Sequence, residues 1–88
     1  MKKEPAKFNN WLHAKMLLCG LSVAKLARES GLHDNTIEAY TTGKHLPSLR
    51  NLRFVCDALA WMILGKKATS KEKRKLSSQL MLEAIEHV

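Results

Sequence analysis

The sequence predicts an all-α fold, a compact five-helix bundle, on three observations. Apolar residues recur at helical spacing along most of the chain, short glycine-bearing breaks separate the runs, and no stretch alternates as a strand does. Eighty-eight residues suit one core, because a chain this short buries only about 60% of its unfolded surface. A large catalytic cleft does not fit that size, so the chain is not expected to be an enzyme.

In chain order, Phe8, Trp11, Leu12, Met16 and Cys19 mark one face of a first helix, which Gly20 ends. Ser22 is an N-cap for a short second helix whose apolar pair is Leu26 and Ala27 and whose stop is Gly31. Ile37 and Tyr40, three apart, place a third short helix over residues 34–40, with Thr41, Thr42 and Gly43 as its punctuation. Ser48 precedes Leu49, Leu52, Val55, Cys56 and Leu59, a one-face pattern for a fourth helix running towards Leu64 and Gly65. Residues 66–70 read as a polar hinge. Thr69 with Glu72 three residues on suits a capping box opening a last helix, lined by Leu76, Leu80, Met81, Ala84, Ile85 and Val88.

Fifteen Lys and Arg against eight Asp and Glu give a formal charge of +7, a field that attracts polyanions. Cys19 and Cys56 lack the spacing of a zinc site or the density of a disulfide scaffold, and are expected to be small buried hydrophobes in a reduced cytoplasm. His13, His33, His45 and His87 have no ligand spacing, and no cofactor is expected. Residues 1–7 carry no secretory h-region, and residues 58–64, the longest apolar run, fall far short of the roughly 20 needed to span a bilayer.

Residues 22–48 hold the informative segment, SVAKLARESGLHDNTIEAYTTGKHLPS. Two short helices are parted by Gly31 and Leu32. Small Ala27 permits their close approach, Gly31 takes a left-handed turn, and Leu32, Ile37 and Tyr40 plug the inner side, leaving the outer face of the third helix open. The stretch resembles the Cro and phage-repressor, or Xre-type, helix-turn-helix family over about residues 8–64. The matching positions are Leu26-Ala27, Gly31-Leu32, Thr36-Ile37, Gly43-Lys44, Pro47-Ser48-Leu49 and Ala58-Leu59.

The resemblance implies a third helix lying in the major groove of double-stranded DNA, with the ends of helices two and four on the phosphate backbone. By position, Asp34, Asn35, Glu38 and Ala39 would face the bases, with His33 and Thr36 beside them. Asn35 suits a bidentate contact to adenine, Asp34 or Glu38 can accept from cytosine N4, and Ala39 offers only apolar contact. Phosphate contacts would come from helix N-termini at Ser22 and Ser48, with Lys44, His45 and Arg50 adding side chains. Three features depart from the family pattern. Val23 stands where a polar phosphate-contacting residue is usual, Met16 and Thr41 replace a frequent ion pair, and Asp34 with Glu38 makes the reading helix acidic.

The expected organisation is a basic arm at residues 1–7 with Lys2, Lys3 and Lys7 along the duplex, a helix-turn-helix domain at 8–65, and a basic hinge with an amphipathic helix at 66–88. That helix, with Trp61, Met62, Ile63 and Leu64, either completes the core or joins two protomers; a homodimer is favoured because two-fold symmetry matches palindromic sites. Lys66, Lys67, Lys71, Lys73, Arg74 and Lys75 are divided between solvent and DNA. The expected function is a cytoplasmic transcriptional regulator of bacterial, phage or mobile-element origin, by default a repressor. RNA polymerase is a further partner if Lys25, Arg28 and Glu29 on helix two support activation. The competing reading is a protein-interaction module such as an antitoxin or antirepressor; a membrane-surface role ranks third.

Overall fold

Helix α1 (Phe8–Cys19) turns Phe8, Trp11, Leu12 and Met16 inward, and Gly20 closes it in a left-handed conformation that lets the Leu21 amide donate back to the Met16 carbonyl at 2.9 Å. These positions come from a computed structural model, which describes residues 7–87. The arm residues Lys2 and Lys3, and Val88 of the last helix, lie outside the described residues.

α2 (Val23–Ser30) starts on the Ser22 hydroxyl, which accepts the Lys25 amide, and α4 (Leu49–Leu64) starts the same way on Ser48 and the Asn51 amide. Between them α3 (Asp34–Thr42) runs two residues beyond Tyr40. The hydroxyls of Thr41 and Thr42 both donate to the Glu38 carbonyl at 2.9 Å, so these two residues prolong the helix before Gly43 ends it. α5 (Ser70–Ile85) opens on a full capping box: Thr69 accepts from the Glu72 amide, and the Glu72 carboxylate accepts from the Thr69 amide.

The five helices, all the regular structure among the described residues, enclose one core. Phe8, Leu12, Leu26, Ile37, Leu52, Leu59 and Leu80 are among its fully buried large side chains, drawn from every helix. α1 lies against α3, α4 and α5, α2 against α3 and α4, and α4 most extensively against α5. Asp57 meets the hydroxyl of Ser77 and Trp61 meets Lys73, so residue numbers rise on α4 as they fall on α5; the pair is an antiparallel hairpin. α5 is also tied to α1, because the Glu83 carboxylate accepts from the Trp11 indole at 3.3 Å and pairs with Lys15 at 3.1 Å. Leu80 and Ala84 are therefore part of the core.

Three placements differ from expectation. Ile85 is half-exposed: Lys73, Ser77, Leu80 and Ala84 form the inward line of α5, and Ile85 sits about 100° round from Ala84. Lys73 is no solvated cation, since its ammonium lies 3.1 Å above the Trp61 ring centroid and the residue is only 9% exposed. Cys19 is half-buried, whereas Cys56 is fully buried and its thiol is pushed up to about 12, first by burial and then by the neighbouring Asp57 and Glu83 carboxylates.

Gly43 ends α3 at φ +81°, and a Cβ there would meet the Asn9 side chain at 3.4 Å. That contact is an ordinary one, so the position is held to glycine by its backbone conformation, which L-residues rarely adopt.

Candidate nucleic-acid interface

The turn between α2 and α3 rests on Gly31, whose φ of 77° lets the Leu32 amide reach the Ala27 carbonyl at 3.0 Å. The chain then leaves α2 with Leu32 packed on the core and restarts at His33, whose carbonyl accepts the Ile37 amide. Ala27 is 1% exposed at the crossing, and Ile37 and Tyr40 are buried. Asn51 on α4 donates its side-chain amide to the Tyr40 hydroxyl at 2.9 Å, a polar tie between α3 and α4. Sequence periodicity marks Tyr40 as an inward residue but says nothing of this partner. α3 is therefore fixed along its inner side both by apolar packing and by a directional bond.

What remains outward on α3 is the set selected from sequence. Asp34, Asn35 and Glu38 are exposed, His33 is exposed at the N-cap, and Thr36 and Ala39 are half-buried at the flanks. Among the described residues neither Asp34 nor Glu38 enters an ion pair, so both carboxylates are free to accept hydrogen bonds. Asp34 also lies in the first turn of α3, where the helix dipole favours a negative charge. Beside this face a shallow groove is lined by Asn35, Thr36, Ala39, Tyr40, His45 and Leu46.

The flanking residues divide. Ser22 and Ser48 stand exposed at helix N-termini; each hydroxyl oxygen accepts its cap bond and retains its proton for donation, next to first-turn amides that lack partners within the helix. Lys44, His45 and Arg50 are exposed, with the Arg50 guanidinium 5.8 Å from the Phe54 ring centroid. Val23 instead packs against the core, so its side chain is turned away from any phosphate and only its backbone amide faces the N-terminus of α2. At the other departure from the family pattern, Met16 is buried and the Thr41 hydroxyl is bonded to its own helix. The ion pair formed by α1 runs to α5 through Lys15 and Glu83.

An exposed polar helix set on a small-residue crossing and a left-handed glycine defines a helix-turn-helix. A profile of that family, described as helix-turn-helix, matches residues 12–60, from within α1 to within α4. The chain belongs to the helix-turn-helix family of the Cro/Xre type, a family of DNA-binding transcription regulators. No curated protein and no solved structure matches it. No helix among the described residues is long and apolar enough to cross a membrane.

Proposed function

We propose that the protein represses transcription by binding a palindromic operator as a homodimer, with α3 of each protomer in the major groove. The observation that carries this reading is the split of α3 into a locked inner side, Ile37 and Tyr40, and an exposed outer side, Asp34, Asn35 and Glu38. Asn35 reads adenine, Asp34 and Glu38 accept from cytosine N4, and Ala39 packs on a thymine methyl. His33 and Thr36 flank them. Ser22, Val23 through its amide, Lys44, His45, Ser48 and Arg50 hold phosphates. Net charge supplies the attraction that the acidic reading helix lacks, so binding is steeply salt-dependent.

The functional division we propose is an arm at residues 1–7, the DNA-binding unit at 8–65 and a C-terminal helix at 66–88 that also contacts the second protomer. Leu82 and Ile85 support the last point: they are 68% and 50% exposed, on the side of α5 turned from the core. Selection of bound duplexes from a random library at fixed salt tests the proposal. Two half-sites about 34 Å apart are expected. Enrichment of no sequence would sink operator binding, and a single unpaired half-site would sink the dimer.

A further inference from the structure

We infer that the cleft between α4 and the opening turns of α5 binds the phosphate group of a small molecule. The cleft has a volume of about 260 Å³ and is lined by Arg53, Asp57 and Trp61 from α4 and by Ser70, Lys73 and Arg74 from α5. Three cations thus face one carboxylate, and an oxygen of that carboxylate already accepts the Ser77 hydroxyl. Lys73 is nine-tenths buried, and among the described residues its ammonium is engaged by no hydrogen bond or ion pair, only by the face of Trp61. An ammonium has three donors, and a ring satisfies one direction.

The placement works against the fold taken alone. Lys71, Lys73, Arg74 and Lys75 crowd the first turns of α5, where the positive end of the helix dipole disfavours cations, and the one carboxylate among them, Glu72, is held on the Thr69 amide by the capping box. A phosphate reverses that balance: it meets guanidinium forks from Arg53 and Arg74, the Lys73 ammonium, and the first-turn amides of α5 beside Ser70. At about 260 Å³ the cleft falls just below the roughly 300–1,000 Å³ of typical small-molecule sites, so it suits a phosphate with no more than a small organic body. DNA on α3 reaches one edge of the cleft at most: from the Ser48 cap, Arg53 lies about 8 Å further along α4 at 1.5 Å per residue, whereas Asp57 and Trp61 lie about 14 and 20 Å along it.

The test uses the full chain, labelled with ¹⁵N and titrated with inorganic phosphate against chloride at constant ionic strength. The Trp61 indole N–H and the amides of residues 70–74 should shift and saturate while the Trp11 indole stays in place. Arg53 and Arg74 are both exposed, so the Arg53→Gln, Arg74→Gln double variant should keep its dispersed spectrum and lose phosphate affinity at least tenfold. Its affinity for the selected duplex should stay within twofold, with an unchanged salt slope. Shifts that fail to saturate, or that persist in the variant, overturn the site. A salt slope reduced by one or more assigns these arginines to the DNA backbone and overturns the small-molecule reading. The phosphate titration needs no DNA, so its outcome is separate from that of operator binding.

Discussion

Asn35 and Lys44 make opposite demands on an experiment although both are exposed residues near one face. Asn35 is exposed on the side of α3 proposed to read bases, so Asn35→Ala should relax preference at one base position, a loss of about 1–3 kcal/mol in discrimination, with little change elsewhere. Lys44 follows the helix, so Lys44→Ala should weaken every duplex alike and lower the salt slope by about one. Binding of both variants to a panel of single-base operator mutants at several salt concentrations checks the pair; the reverse pattern would mean that α3 docks differently. Tyr40→Phe tests the scaffold beneath. It leaves the Asn51 amide without its acceptor, at an expected loss of about 1 kcal/mol in urea unfolding. Because the phenolic tie also sets the tilt of α3, operator affinity should fall with it. The inward character of Tyr40 was legible from its spacing to Ile37, but Asn51 was not, since a hydrogen bond between two helices leaves no period in either.

At the scale of single elements, caps and stops were largely readable, because they are local chemistry. Ser22, Ser48 and the Thr69–Glu72 box act within three residues of themselves, and all three cap as their sequence suggests. Orientation was harder. Periodicity identifies a buried stripe on α5 but not which neighbours border it, so Ile85 is expected on the inward line, and Lys73 is divided between solvent and DNA where the structure packs it on Trp61. The ties that orient α5, Trp11 and Lys15 to Glu83 and Asp57 to Ser77, join distant residues of types usually found on surfaces. One of these ties gives α5 a pH response. The Lys15 ammonium bonded to Glu83 holds its carboxyl below the ordinary 4.5, with the Trp11 indole adding to the effect against burial. A folded-state value depressed in this way contributes stability that is present above the unfolded value and lost as pH falls through the folded one. Urea midpoints should therefore fall as pH drops below about 4.5, and Glu83→Gln should flatten part of that decline. An unchanged profile in the variant would show that the Lys15 pair is too solvated to matter.

For the molecule as a whole, α5 joins the core through Leu80 and Ala84, at 1% and 0% exposure, while Leu82 and Ile85 remain outside. Core completion and the proposed protomer contact thus draw on different positions of one helix. Leu80→Ala should destabilise the fold by about 2–5 kcal/mol at any protein concentration. Leu82→Glu should leave dilute-solution stability nearly unchanged and shift sedimentation to the monomer. Equal effects from both would mean that folding and association cannot be separated.

The groove beside the end of α3 has a practical consequence for anyone attaching a label. Lys7, Asn9, Thr42, Gly43, His45 and His87 line it together, so the first and last described residues are neighbours there. A label carried at Lys7 or His87 would sit next to the C-terminal end of α3, the helix proposed to enter the major groove. The hinge at residues 65–69 lies at the opposite end of α4, roughly 24 Å from its start at 1.5 Å per residue. A dye or tether attached in that segment would lie at the far end of α4 from that groove.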